Sequence, residues 1–302
     1  MAKPPTKKPK DGAKRPFIVD VMRVGFPLLG RVAPRTTAHI AHRTIRRPRR
    51  FPRPEREHRL IERSMPMNVP HKGTELAGWV WGEGPTVFLA HGWAARGAQM
   101  GAFVDPLVKA GKRVFTFDAP AHGASPGETT NLVDYAHAIK TANELYGPFE
   151  SLIGHSFGAA SSLYAMVHDF VDVERAVLVA GFPSLRRSME RSGKFVRMPP
   201  ATMRVIMRLM VDVHGRPLDE LDLERHVAKL KSQALLIHDP HDREVPFYES
   251  RLLRDAWPGA HLFEVPGAGH VRILWNPAVV AAVDGFLING NIPDEIQPEP
   301  ST

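Results

Sequence analysis

The sequence predicts an α/β protein built on a mostly parallel sheet with helices on both faces. Three observations lead there. Short apolar runs of four to six residues recur from about residue 76 onward. Stretches of helical length and helical spacing separate them. A glycine-flanked serine, Gly154-His155-Ser156-Phe157-Gly158, stands at one junction between such a run and such a stretch. Strands separated by helices do not pair as tight hairpins; each crossover brings the chain back in the same direction, which makes the sheet parallel and covers both faces.

Taken in order, residues 1–16 are rich in lysine and proline, a composition that resists packing, and are expected to be disordered. From Phe17 the spacing turns helical: Phe17, Val21, Val24 and Leu28 share one face, and Asp20, Arg23, Pro27 and Arg31 the other. A second helical stretch runs from about Thr36 to Arg47, followed by a proline-spaced basic run from Arg46 to Pro54. A boundary is placed near residue 60. It divides a basic N-terminal arm (1–60) from an α/β domain (61–290) and a short C-terminal tail (291–302).

Within the domain, Leu76–Trp81, Thr86–Ala90, Arg113–Asp118, Ser151–Gly154, Ala176–Ala180, Ala234–His238 and His261–Val265 read as strands. Helices are expected near 97–110, 132–146, 157–168, 247–256 and 277–288. Residues 182–232 break this rhythm, being too long for one crossover helix. Met203, Ile206, Met207 and Met210 fall at i, i+3, i+4 and i+7, so the insertion reads as a mostly helical lid. It holds five of the eleven methionines, whose flexible side chains adapt to apolar shapes. Ordinary core packing is the plainer account of any one of them.

Composition narrows the chemistry. At 302 residues and 43% hydrophobic the chain has ample material for one large core. It has no cysteine, which excludes disulfides, thiolate catalysis and Cys-ligated metals. The formal charge of +8 is unevenly spread: residues 1–63 carry 18 Lys and Arg against 5 Asp and Glu, and the rest 22 against 27. A basic arm with one apolar face favours an anionic membrane surface over nucleic acid, for which no module is recognisable. A solubilising tail, or a helix packed on the core, are the alternatives. No stretch reaches the roughly 18 apolar residues of a membrane span. The best, Phe17 to Ala33, is interrupted by Asp20, Arg23 and Arg31. No secretory signal is read, and the expected location is cytoplasmic, with peripheral membrane association through the arm.

The chemistry starts at Ser156. The glycines around it suit a tight strand-to-helix turn that exposes the hydroxyl, and the following helix start aims free N–H groups at a developing oxyanion. A serine hydroxyl needs a base. Of fifteen histidines, His270 in Gly267-Ala268-Gly269-His270 follows a late strand, where a loop reaches the same sheet edge. The base needs an orienting carboxylate, and Asp239, Asp242 and Glu244 all lie in one loop after the strand Ala234–His238. Two backbone N–H groups, of Phe157 and of Trp93 in His91-Gly92-Trp93, are the expected oxyanion donors. The run His238, His241, Asp242 is too weak a pattern for a zinc site, so neither metal nor cofactor is expected.

From about residue 64 to 290 the chain resembles the α/β-hydrolase superfamily. The resemblance rests on His91-Gly92-Trp93, on Phe117-Asp118-Ala119-Pro120-Ala121-His122-Gly123-Ala124-Ser125, on the serine pentapeptide, on the Asp242 loop ending Val245-Pro246, and on Gly269-His270. It implies an eight-stranded sheet, a lid inserted after strand six, and a nucleophile, acid and base in the chain order Ser156, Asp242, His270. Asp242 is kept over Asp239 by its spacing to Val245-Pro246, although the family usually has glycine where Asp239 stands. Haloalkane dehalogenases and epoxide hydrolases of this fold carry aspartate at the elbow; serine at 156 points away from them. The expected function is hydrolysis of a small-molecule carboxylic ester or thioester through an acyl-enzyme on Ser156. The alternative is a non-catalytic binding protein of the same fold, which usually lacks a piece that is present here. A basic cluster in the insertion, Arg186, Arg187, Arg191 and Lys194, offers attraction for an acidic substrate, against the plainer reading of a solvated helix face.

Overall fold

A computed structural model describes residues 17–293, with side chains from residue 24 onward. The stretch 1–16, residues 294–302 of the expected tail, and the side chains of Phe17 and Val21 lie outside the described residues.

Three helices precede the sheet: α1 (Phe17–Val32), α2 (Pro34–Ile45) and α3 (Glu55–Glu62). The strands are β1 (Met65–His71), β2 (Thr74–Trp81), β3 (Thr86–Ala90), β4 (Arg113–Phe117), β5 (Phe149–His155), β6 (Arg175–Val179), β7 (Gln233–His238) and β8 (Ala260–Glu264). Between and after them run α4 (Val104–Lys109), α5 (Leu132–Tyr146), α6 (Phe157–Val167), α7 (Leu185–Phe195), α8 (Pro200–His214), α9 (Tyr248–Ala256) and α10 (Pro277–Asn289). The sheet order is β1-β2-β4-β3-β5-β6-β7-β8; β2 pairs antiparallel with both β1 and β4, and every other neighbouring pair is parallel. From β3 the chain goes to β4 on one side and then to β5 on the other. A crevice opens beyond the carboxyl ends of strands where the order reverses in this way.

Side chains alternate across the sheet with period two, so each strand feeds two cores. Val87 and Leu89 of β3 join Ile153, Val177, Leu235 and Ile237 on one face. Phe88 and Ala90 join Phe115, Phe117, Phe149 and Leu152 on the other. Both faces are covered, and β3 is buried at every position.

Two elements differ from the sequence reading. Periodicity marked seven strands; the eighth, β1, pairs only with β2 at the sheet edge. Pro66 and Pro70 disguise it, and an edge strand tolerates them because half of its N–H groups have no ladder partner. The single helix expected near 97–110 is a 3-10 segment, Gly97–Phe103, leading into the short α4. Gly97 and Gly101 weaken the α-helix there, and Asp118 Oδ1 takes the Gly97 N–H at 2.7 Å.

The insertion after β6 is helical, made of α7, α8 and three 3-10 turns between Leu218 and Lys229. Thr202, Ile206, Met210 and His214 form the buried face of α8 at four-residue spacing. The three arginines of the basic cluster on α7 are spent on carboxylates, while Lys194 is exposed. Arg186 pairs with Asp222 at 2.6 Å, and Arg187 and Arg191 hold the fully buried Glu249 of α9 at 2.9 and 3.2 Å.

The N-terminal helices lie against this body. Thr37, Ala38, Ala41 and His42 of α2 are buried, and α2 packs on α8. Thr202 Oγ1 donates to Gly30 O of α1 at 3.0 Å. Arg50 donates to Ala121 O, Ser125 O and Gly127 O, Arg53 to the buried Asp118, and Arg96 makes a two-pronged pair with the buried Glu57 at 2.7 and 3.0 Å. Among the described residues, no helix is long and apolar enough to cross a membrane.

Candidate active site

Ser156 sits at the turn from β5 into α6 with φ 52° and ψ −113°, a conformation rare for any residue with a Cβ. The flanking glycines are required by contact. A Cβ on Gly158 would stand 2.3 Å from Ala90 O, and one on Gly154 would stand 2.6 Å from Ala159 Cα. The turn therefore presses α6 onto β3, and Ser156 is thrust up at the sheet's carboxyl edge.

Two loops meet it there. His270 follows β8 and brings its Nε2 to 3.0 Å from Ser156 Oγ. Asp242 follows β7 and puts Oδ2 at 2.7 Å from His270 Nδ1. Its other oxygen accepts the Glu244 and Val245 N–H groups at 2.7 and 3.1 Å, which fixes the carboxylate plane. Burial raises the Asp242 carboxyl, but hydrogen bonds from His238 and His270 outweigh it and hold the group well below the usual carboxylate range. Asp242 is thus an anion facing the one imidazole that reaches Ser156.

The rivals have other partners. Asp239 accepts the His241, Gly267 and Gly269 N–H groups at 2.8, 3.2 and 2.6 Å, clamping the β7 and β8 loops together. Glu244 stands 3.8 Å from His270 Nε2 on a side chain that is 65% exposed. His238 is buried, accepting from Ser250 Oγ at 2.6 Å and donating to Val245 O at 3.0 Å, while His241 points to solvent. Among the described residues, no three His, Cys, Asp or Glu side chains are grouped to hold a metal ion.

Trp93 and Phe157 flank the serine. Phe157 opens α6, so its N–H has no acceptor within the helix. The Trp93 indole packs edge-on against Phe157 and His122, with ring centres 5.0 and 5.2 Å apart. Beneath them lies a layer of buried histidines to which the sequence reading gave no role of their own. His91 donates from Nδ1 to Gly92 O at 2.8 Å and accepts the Ala119 N–H at Nε2 at 2.9 Å, which joins the β3 and β4 loops. His155 donates from Nε2 to His270 O at 2.9 Å. Burial pushes His91 down to about 4 and His122 and His155 down to about 3, so all three are neutral at neutral pH.

Ser156 and His270 open into a cavity of about 370 Å³, within the usual range for small-molecule sites. Its walls are Phe182, Leu185 and Met189 from the insertion and Met210 and His214 from α8, with Ile45 and Arg46 from the end of α2. The sequence did not mark Arg46 as part of a site; its neighbours in the basic run gave it the look of a linker residue.

Comparison with known proteins agrees with this architecture. A family model described as the alpha/beta hydrolase family matches residues 87–283. A pimeloyl-[acyl-carrier protein] methyl ester esterase of Xanthomonas campestris pv. campestris is 26% identical over 241 residues, covering 67% of this chain and 94% of that one. An esterase of Pyrococcus furiosus superposes with a TM-score of 0.60 at 21% identity, over 80% of this chain and 98% of that one. An esterase of Exiguobacterium antarcticum gives 0.57 at 17% identity, over 74% and 99%.

Proposed function

The chain belongs to the alpha/beta hydrolase family, and on that premise we propose that it is a serine hydrolase cleaving a carboxylic ester or thioester through an acyl-enzyme on Ser156. The observation that carries the reading is the relay from Ser156 Oγ to His270 Nε2 at 3.0 Å and from His270 Nδ1 to Asp242 Oδ2 at 2.7 Å, opening on a cavity. The 26% identical relative, named as a methyl ester esterase, supports the ester class.

In this mechanism Ser156 Oγ attacks the acyl carbon as His270 Nε2 takes its proton. Negative charge gathers on the acyl oxygen, where the Trp93 and Phe157 N–H groups receive it. The tetrahedral species collapses, His270 returns the proton to the leaving alcohol or thiol, and the acyl group stays on Ser156. Water then attacks the acyl-enzyme, again losing a proton to His270, and releases the acid and free serine. Asp242 stays ionised throughout and holds the imidazole in the tautomer that presents a bare Nε2.

Hydrolysis of p-nitrophenyl esters of increasing acyl length, with Ser156→Ala as the blank, tests this. Turnover is expected in the wild type and a loss of at least ~1,000-fold in kcat in the variant. Equal inertness of both proteins on every ester and thioester would favour the non-catalytic binding protein.

A peripheral contact of the N-terminal helices with anionic membrane is also proposed. It is supported by Val24, Leu28, Leu29 and Val32 of α1, all more than half exposed, beside the exposed Arg31 and Arg35. Co-sedimentation with anionic vesicles tests it.

A further inference from the structure

The cavity is electrically lopsided. At the Ser156 end stands the Glu244 carboxylate, 3.8 Å from His270 Nε2. Arg46 lies on the wall made by α2, α8 and the start of α5, away from the loops that carry Asp242 and His270. The two arginines that line the cavity differ in one respect. Arg191 is neutralised by the buried Glu249. Arg46 pairs with no carboxylate among the described residues: its one side-chain hydrogen bond goes to the neutral Thr129 Oγ1, at 3.5 Å, and its buried Nε has no partner.

Every acid and base packed around Arg46 leaves it as the unspent charge. Asp134, the acid that acts on it electrostatically, is engaged by His71, Lys72 and Thr130. His42 and His214 lie beside it, each with a buried ring nitrogen lacking a partner. Burial lowers both, His214 to about 4, so neither carries charge at neutral pH. A second donor is held ready next to it. Asn131 also lines the cavity and uses its side-chain oxygen to cap α5, accepting the Asp134 N–H at 2.9 Å. That bond orients the amide and leaves its N–H₂ group over. A guanidinium fork beside an amide N–H₂ is donor chemistry matched to a carboxylate. Leu132, Phe182, Leu185 and Met210 give the same cavity an apolar lining.

We propose that Arg46 and Asn131 form a carboxylate subsite, and that the substrate is an aliphatic ester carrying a free carboxylate a short apolar chain away from the scissile bond. This rests on the ester hydrolase reading and names the substrate class of that site. The N-terminal segment is then part of the specificity machinery, since α2 delivers the charge.

The test compares three esters of similar length: the monomethyl ester of adipic acid, 6-acetoxyhexanoate and the neutral methyl hexanoate. The first two place the carboxylate on the acyl and on the leaving-group side respectively. Wild type is expected to show a KM at least ~10-fold lower for one charged ester than for the neutral one. Arg46→Gln is expected to remove that preference by raising KM about 10- to 100-fold with kcat little changed, the loss of charge-assisted hydrogen bonds made equally in ground and transition states. Arg46→Lys is expected to restore part of it. Thermal melts confirm that the variants fold. Equal turnover of all three esters by wild type, or a preference that survives Arg46→Gln, overturns the subsite while the ester hydrolase reading stands. Calorimetric binding of monomethyl adipate and 6-acetoxyhexanoate to Ser156→Ala separates the two ideas. Arg46-dependent binding, with wild type inert on these esters and on the p-nitrophenyl esters alike, keeps the subsite and sinks the hydrolase reading; absence of binding together with that general inertness overturns both.

Discussion

At the scale of single residues, the division of labour between Asp239 and Asp242 is decided by three positions in one loop. Both follow β7, and both are carboxylates beside a histidine. Asp242 meets the imidazole of His270, whereas the hydrogen bonds of Asp239 come from backbone N–H groups and the nearby His241 ring, 3.8 Å away, points to solvent. Exchange of each for asparagine is expected to separate these jobs. On the proposed mechanism Asp242→Asn loses the acceptor that holds the tautomer, and kcat is expected to fall by about 10⁴-fold, the size of loss seen for that change in a known serine triad. Asp239→Asn is expected to keep kcat within about tenfold while costing roughly 1–3 kcal/mol of stability, since buried N–H groups lose a charged acceptor. Steady-state kinetics beside urea unfolding reads both, and equal kcat losses in the two variants would contradict the assignment.

At the scale of elements, α5 shows how a helix start is tied to a distant hairpin. Asn131 caps it, and Asp134 in its first turn binds His71 and Lys72 at the β1–β2 turn and Thr130 Oγ1 at 2.9 Å. Burial raises the Asp134 carboxyl, but hydrogen bonds from His71 and Lys72 overcome that and hold it well below its ordinary value. A depressed carboxylate contributes stability that is full above the unfolded pKa and lost as pH falls through the folded one. Wild type should therefore lose stability steadily below about pH 4, the ordinary carboxylate range. Asp134→Asn should be less stable by about 1–3 kcal/mol at pH 7, with the difference shrinking in acid. Denaturant midpoints at pH 7 and pH 3 check this; a difference independent of pH rules out the charged form as the cause. Elements of this kind were unevenly legible. The helix read at 132–146 matches α5, because its apolar spacing is long and capped. β1 escaped because two prolines in seven residues mask its alternation, and the reason they are tolerated is its place at the sheet edge.

For the whole molecule, the instructive region is the basic N-terminal segment. In sequence it reads as an arm with a linker, because charge and proline dominate it. In the structure Arg50, Arg53 and Glu57 bond to groups 39 to 77 positions away, and Ile45 and Arg46 wall the cavity. Among the described side chains of α1, Val24, Leu28, Leu29 and Val32 remain exposed. Vesicle binding is therefore better measured with the surface triple variant Leu28→Asp, Leu29→Asp, Val32→Asp than with a deletion that removes α2 from the cavity wall. Sedimentation with phosphatidylserine vesicles at low salt is expected for wild type and lost in the triple variant. Absence of sedimentation in wild type refutes the membrane contact.

The sequence by itself determined the α/β alternation, the serine elbow with its flanking glycines, and the nomination of His270, while Asp242 was kept over Asp239 and Glu244 by the family resemblance. These are local facts: a strand's period, a turn's tolerance for a Cβ, a motif's position after a strand. Only the tertiary structure decided that Asp239 clamps two loops, that the arginines of α7 are neutralised by Asp222, Glu224 and Glu249, and that Arg46 is left without a carboxylate among the described residues. The physical reason is that a charge's meaning lies in its partners. Those partners are set by which loops and helices the sheet brings together, and the chain between them carries no record of the distance.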